Sequence, residues 1–358
     1  MSLPTTYKAA VLPAPYAQHT IEDRTLPTLE ANQVAIKITA TAVNPVDWKI
    51  RDYNVFLKTY PAVLGSDAAG EIVAIGPSVT SHAVGDRVFF QGIIGHYPAS
   101  TFQQYCVMPA ELVATTPAGI SDDQAAGISL ASVAVVTGFY DQTGHGIAPP
   151  PWTAEGGAEA GKGKAIAILG GASSVGQYAI QFARLSGFER IITTASAAHH
   201  EFLKGLGAHV VLDRQSATAP DFVAAAGEGV KLSYVYDAIS VKETQKLGVE
   251  IAQATQGTTQ AVVTVQAVDQ EAAQLGQSQE PKVAVKPILG LGSSPALRHL
   301  SEPMVKALGG EEGWIAKGLF VPNRVRLIPG GLGAVEKALK TNKEGVSGEK
   351  VVFRPNDA

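Results

Sequence analysis

An α/β fold, pairing a doubly wound parallel sheet with a separate β-rich unit of barrel type, is what the 358-residue sequence predicts. Three observations carry the expectation. Residues 165–196 read as strand, glycine turn, helix and strand within about thirty residues. Short apolar runs then alternate with helical stretches as far as Leu289. Residues 1–125, by contrast, hold short strands separated by turn residues.

Taken in order, Tyr7 to Leu12 is a short strand, and VAIKITATA, ending at Ala42, alternates as a half-buried strand does. In LGSDAAGEIVAIG (64–76), small residues lead into a strand that Gly76-Pro77 turns. Val84 to Val88 enters another strand, and Thr101 to Pro109 adds one more. Asp122 to Tyr140, apolar and rich in small residues, reads as a helical connection, and 141–163 as a surface loop rich in Gly, Pro and Ala. Ala165 to Leu169 carries no charge, as a buried parallel strand requires. Val175, Tyr178, Ala179, Phe182 and Leu185 recur at helical spacing up to Gly187, and Ile191 to Thr194 is the second strand. Further strands fall at Val210–Asp213, Leu232–Ala238, Ala261–Val265 and Val283–Leu289. Leu300 to Lys317 reads as a helix. Val325–Leu327 and Val351–Phe353 read as strands around a helix at Gly330–Lys340. The last elements are expected to return to the first domain, giving 1–130 with 319–358 as one domain and 131–318 as the other.

The turn Gly170-Gly171-Ala172-Ser173-Ser174-Val175-Gly176 sits between strand and helix, where small residues let the backbone approach a pyrophosphate and helix N–H groups receive its charge. Of a strict GxGxxG only Gly171 and Gly176 survive, with Ser173 at the middle position. An ordinary strand-to-helix turn has the same look; the flanking strands and helix favour a dinucleotide. An NAD site carries Asp or Glu at the end of the second strand. Here that place is Ala195-Ser196, so NADP(H) is expected, with Ser196, His199 and His200 as candidate donors to a 2′-phosphate. The two histidines equally suit a solvated helix start.

Composition narrows the function. Lysine and arginine number 28 against 32 acidic residues, a net charge of −4 with no basic stripe, which argues against nucleic acid. The single cysteine, Cys106, excludes an intrachain disulfide and a cysteine-clustered zinc site. No signal-peptide pattern opens the chain and no apolar run reaches membrane-spanning length, so a cytoplasmic protein is expected.

VNPVDWKI (43–50), LGSDAAGEIVAIG (64–76), VGDRV (84–88), the 165–196 unit, YDAIS (236–240), GGLGAVEKALK and SGEKVVF together resemble the medium-chain dehydrogenase/reductase superfamily over nearly the whole chain. The likeness is strongest to its zinc-independent quinone oxidoreductase branch and to fungal trans-acting enoyl reductases. It implies a GroES-like β-rich domain beside a Rossmann domain. Zinc-dependent relatives place Cys at Asn44 and a His-Glu pair at Ser66-Asp67, and they carry a four-cysteine lobe that this chain lacks. Zinc is therefore not expected.

What the resemblance implies is metal-free hydride transfer from NADPH to a quinone or to the C=C bond of an α,β-unsaturated carbonyl. Asn44, Lys49 and Tyr53 are its candidate catalytic groups, Lys49 as a donor to the carbonyl or to a phosphopantetheine-type substrate and Tyr53 as a proton donor. A surface salt bridge of Asp47 with Lys49, and core packing for Tyr53, are the plainer alternatives. Where enoyl reductase relatives carry a threonine on the helix at 130–140, this chain has Ser132, Ala134 and Thr137, and no residue takes that role by the resemblance alone. Implied cofactor contacts are Pro45, Val46, Asp47 and Trp48 on the nicotinamide side, and Gly171, Ala172, Ser173, Ser174, Val175 and Gly176 at the pyrophosphate. Ser196, His199 and Arg214 are implied near the 2′-phosphate, and Val346 and Ser347 closing over the cofactor. Expected partners are the small-molecule quinone or enone and, in the trans-acting reading, a polyketide synthase, with the chain a monomer or homodimer. A non-catalytic NADPH-binding sensor is the remaining alternative.

Overall fold

The computed structural model describes residues 4–357. The chain divides into two units, one made of residues up to Leu130 together with those from Gly292 onward, the other of Ala131–Leu291.

The first unit opens with β1 (Tyr7–Leu12), β2 (Thr20–Arg24) and β3 (Gln33–Ala42), then α1 (Pro45–Tyr53). β4 (Ala62–Val63), β5 (Ala68–Ile75), β6 (Arg87–Phe90), β7 (Tyr105–Pro109) and β8 (Val113–Thr115) follow, then α2 (Asp122–Ala125); α3 (Ser129–Tyr140) leads into the second unit, which takes it from Ala131. The second unit alternates β9 (Lys164–Leu169), α4 (Ser174–Leu185), β10 (Arg190–Ala195), α5 (His200–Leu206), β11 (Val210–Asp213) and α6 (Ala219–Ala226). It continues with β12 (Lys231–Asp237), α7 (Lys242–Ala254), β13 (Ala261–Thr264), α8 (Gln270–Ser278) and β14 (Ala284–Pro287). The chain then returns to the first unit with α9 (Arg298–Leu308), β15 (Arg324–Leu327), α10 (Val335–Glu344) and β16 (Glu349–Phe353).

In the second unit six parallel strands lie in the order β11-β10-β9-β12-β13-β14. The chain winds outward from β9 through β10 to β11, then crosses to β12 and winds out the other way. The reversal beside β9 is the switch point at which such sheets take ligands, at the carboxyl ends of the strands. Ala165 to Leu169 are fully buried, which explains their unbroken apolar run: a strand covered by helices on both faces has no polar side. Phe222, Val235, Val249, Ile251 and Val262 complete the core around them.

The first unit holds two sheets, β2-β1-β4 and β15-β16-β3-β5-β6-β8, with β7 pairing β3. β3 alternates because one face meets the core of Val34, Ile36, Ile38, Val88, Phe90 and Met108. β16 pairs antiparallel with β3 and parallel with β15, so the last strand closes against one of the first.

The structure departs from the sequence reading in three places. Residues 45–53, to which the sequence reading assigns no element, form α1. Residues 292–318, expected with the parallel sheet, belong to the first unit. There the Gly292 N–H donates to Gln91 Oε1 (2.9 Å), Arg298 pairs with Glu111 (2.7 Å), and the Gly310 N–H donates to the Thr115 carbonyl (2.8 Å). The helix expected to reach Lys317 stops at Leu308, where Gly309 and Gly310, the latter at φ +73°, turn the chain.

Candidate functional site

In the second unit the carboxyl end of β9 runs straight into the glycine turn. A Cβ on Gly171 would lie 2.2 Å from Thr193 Oγ1, and one on Gly176 would lie 2.2 Å from the Gly170 carbonyl. Glycine at 176 is what lets α4 start this close to the strand end. Thr194 pins the turn from β10: its hydroxyl accepts the Gly170 N–H (3.0 Å) and its carbonyl the Gly171 N–H (2.9 Å). Ser173 is the N-cap of α4, its Oγ accepting the Gly176 N–H at 3.0 Å. Gln177 Nε2 donates to the Ala172 carbonyl (2.9 Å). Ala172, Ser173, Ser174 and Val175 are only partly buried, so the start of α4 opens to solvent at the strand ends. The first N–H groups of a helix lack intrahelical acceptors and carry its positive dipole end, a ready anion seat.

Beside it, Asp237 ends β12 and accepts the N–H groups of Ile239 (3.0 Å) and Ser240 (2.8 Å). Ile239 in turn lies over Gly170, where a Cβ would meet its Cγ1 at 2.2 Å. Burial raises the Asp237 carboxyl pKa above its usual value.

β10 and β11 are in register at Ala195 and Asp213, which puts Ser196 and Arg214 side by side at neighbouring strand ends. The Arg214 N–H donates to the Ala195 carbonyl (3.1 Å), and its side chain is exposed. Asp213, the carboxylate in this neighbourhood, has its Oδ1 turned to the Gln215 N–H (2.8 Å). Ser196 is partly buried, whereas His199 is buried at 8 % exposure. On α3, Ser132, Ala134 and Thr137 are all buried, and the Ala134 carbonyl accepts from Tyr236 Oη (3.1 Å).

In the first unit α1 carries the other candidates. Asn44 is its N-cap, Pro45 its first residue and Asn54 its left-handed C-cap (φ 51°). The Asp47 carboxylate reaches back to the Asn44 N–H (2.8 Å), one half of a capping box. Asn44 is buried and its amide engaged at both ends: Oδ1 accepts from Lys350 Nζ (2.5 Å), and Nδ2 donates to Asp67 Oδ2 (3.3 Å). Lys350 also pairs with Asp67 at 3.3 Å, and Asp67 Oδ1 accepts the Leu130 N–H (3.1 Å). Burial pushes the Asp47 carboxyl up to about 7, against the pull of the Asn44 N–H and the Lys350 ammonium. Burial likewise raises Asp67 despite the same ammonium.

Lys49 and Tyr53 face a wetter environment. Lys49 is half-buried with Nζ 5.4 Å from the Trp48 ring centroid, and burial lowers its ammonium pKa. Asp47, which could have paired with Lys49 at the surface, is instead buried in the Asn44 capping contact. Lys343 approaches the same ring at 5.5 Å. Trp48 Nε1 donates to Asn342 Oδ1 on α10 (3.0 Å). Tyr53 is 57 % exposed, its ring edge-on to Trp48 at 5.9 Å. Val46, Trp48 and Val346 pack on one apolar cluster, with Ser347 exposed at the turn into β16.

Sequence reasoning missed Lys350, and read Asp67 only as a replaced metal position. It also missed Thr194 and Gln177. Thr194 had a readable signal, a hydroxyl beside the glycine turn in the neighbouring strand; Lys350 had none.

A doubly wound sheet with a small-residue turn at its switch point, in a chain that also holds a separate β-rich unit, is the frame of a nicotinamide-dependent oxidoreductase. Residues 30–118 match the family model for the alcohol dehydrogenase GroES-like domain, and residues 174–284 that for zinc-binding dehydrogenase. The chain belongs to the medium-chain dehydrogenase/reductase superfamily, in its fungal enoyl reductase-like branch. It is similar to the trans-enoyl reductase himH of Aspergillus japonicus, at 31% identity over 341 residues, 90% of this chain and 89% of that protein. The match to the dehydrogenase azaJ of Aspergillus niger is 34% over 225 residues, 61% of this chain and 63% of that one, less than two thirds of its length. The fold is shared with a quinone oxidoreductase of Escherichia coli complexed with NADPH, with TM-score 0.68, 20% identity and coverage of 98% and 100% of the two chains. Among the described residues no helix is long and apolar enough to cross a membrane.

The second family name raises the question of zinc. Asn44 offers an amide oxygen already bonded to an ammonium, and that ammonium pairs with Asp67. Among the described residues no three His, Cys, Asp or Glu side chains cluster as a metal site. These residues do not fit a zinc ion, which needs thiolate, imidazole or carboxylate donors free of a competing cation.

Proposed function

We propose that this oxidoreductase uses NADPH to reduce the C=C bond of an α,β-unsaturated carbonyl, with quinones as a second class of acceptor. The observation that carries the cofactor half is the end of β10: Ala195-Ser196 presents no carboxylate, and Arg214 stands beside it in register. A carboxylate there accepts a 2′-hydroxyl and repels a 2′-phosphate, while serine and arginine do the reverse. The acceptor half is supported by the likeness to himH, named a trans-enoyl reductase, over nine tenths of this chain.

Bound NADPH supplies the hydride. The chain supplies the rest. The turn at 171–176 and the N–H groups opening α4 hold the pyrophosphate. Ser196 and Arg214 hold the 2′-phosphate. Lys49 donates from its half-buried ammonium to the carbonyl oxygen as negative charge develops there, and its position over Trp48 restricts where that ammonium sits. Tyr53, exposed at the end of α1, returns a proton through solvent in this reading. Asn44, its amide fully engaged, holds α1 in place and does not donate to substrate.

The test is NADPH consumption with a panel of enoyl thioesters, simple enones and quinones. Turnover fastest with conjugated enones is expected. Tight NADPH binding without turnover on any member would overturn the enzymatic reading in favour of a sensor.

A further inference from the structure

Lysine is seldom buried unless paired, because an ammonium loses its water in the interior. Lys350, on β16, is 4 % exposed. Its stem runs past Gly127, where a Cβ would meet Lys350 Cγ at 2.7 Å, so the glycine there makes room for this side chain. Its Nζ reaches Asn44 Oδ1 and Asp67 Oδ2, while the remaining oxygen of Asp67 is held by the Leu130 N–H. Asp47 also feels the ammonium, and its Oδ1 is buried with no hydrogen-bond partner. One buried carboxylate and one amide oxygen thus hold a single cation, with the buried Asp47 carboxyl near enough to feel its charge, and that cation belongs to the chain.

We infer that Asn44, Asp67 and Lys350 form a buried cation site filled by the protein's own ammonium, and that Lys350 is the positioning residue that fixes α1. The amide of Asn44 has one orientation that serves both neighbours: oxygen to Lys350, nitrogen to Asp67. Asn44 is the N-cap of α1, so the ammonium sets where the helix carrying Trp48 and Lys49 begins. The site recognises charge and size, not a metal's coordination geometry. A small primary alkylammonium ion will therefore enter the space left when the lysine side chain is cut away.

The experiment uses the full chain. Lys350→Ala is expected to lower the melting temperature by about 5–10 °C, since a buried carboxylate loses its partner. Ethylammonium should restore it saturably, as a ligand of the folded state does. Ethanol at equal concentration should not. Well below melting, and resting on the reductase reading, kcat should fall about tenfold with KM for NADPH unchanged, and ethylammonium should raise it again; that step isolates positioning from mere stability. Lys350→Met fills the space with a neutral stem and covers the case in which Lys350→Ala does not fold. It should be destabilised more than the doubly neutral Lys350→Met/Asp67→Asn, and ethylammonium should rescue neither. Equal effects of ethylammonium and ethanol on Lys350→Ala would overturn the inference. So would Lys350→Met melting like the wild type, or melting equal to the double variant. Thermal rescue stands or falls whether or not an enone is the substrate.

Discussion

Asp47 and Lys49, two residues apart on one short helix, have opposite surroundings. Asp47 is wholly buried and its carboxyl sits at about 7. The unfolded chain releases that proton near 4. Between those values the folded state holds a proton that the unfolded state does not, so this group's contribution to stability is present below pH 4 and is lost as pH rises to about 7. Asp47→Asn, which cannot ionise and can still accept the Asn44 N–H, should therefore lose less stability relative to wild type at pH 8 than at pH 5. Urea unfolding at the two pH values measures this; a penalty that grows with pH would contradict it. Lys49→Ala should lower kcat by about 10-fold, less than the 10²–10³ of a fully enclosed donor, because its ammonium is only half-buried. NADPH affinity should stay nearly intact, and an unchanged kcat would make Lys49 a surface residue packed on Trp48. Neither burial was legible in the sequence. A polar run such as DWKIRD gives no sign of which charge turns inward, since the surroundings that receive it include residues distant in the chain, Lys350 among them.

At the scale of elements, the parallel strands were the easiest to read. Ala165–Leu169 is buried on both faces and has to be apolar throughout, so its pattern survives without knowledge of its neighbours. α1 was missed because its core-facing residues, Ile50 foremost, are outnumbered by charges. Its readable signal was local: Asn44, Pro45 and Asp47 in the order of a capped helix start. The β10–β11 ends illustrate a middle case. Ala195-Ser196 could be located by counting along the βαβ unit, but the pairing of Ser196 with Arg214 needed the register, and the burial of His199 needed the packing of its short helical turn. Ser196→Asp should reverse cofactor preference from NADPH to NADH. Fluorescence titration of both nucleotides checks it, and equal affinity of the wild type for both would remove the premise.

At the scale of the whole molecule, the first unit is discontinuous and the second is one unbroken stretch. Residues 131–291 bring their own sheet, core and glycine turn. Expressed alone they should fold cooperatively and gain thermal stability from NADPH more than from NADH; a fragment that does not melt cooperatively would show that the sheet depends on the rest of the chain. The reverse deletion should fail, because β15, α10 and β16 complete the first unit's sheet. That return crossing was visible in the sequence as far as residue 319. Its earlier start at Gly292 rests on single contacts, such as Arg298 with Glu111, that no periodicity announces.

The ammonium that answers Asp67 comes late in the order of synthesis. A ribosome adding about 5–20 residues per second releases β3, α1 and Asp67 tens of seconds before it releases Lys350. In that interval residues 131–291 emerge whole and are free to fold, while the first unit waits with an unanswered carboxylate and an uncovered strand edge on β3. Maturation of the nascent chain should thereby be ordered: pulse proteolysis is expected to find the parallel-sheet unit resistant first, and the unit bearing Lys49 resistant only once β16 has left the exit tunnel. A chain stalled before β16 would look finished to the cofactor and unfinished to quality control.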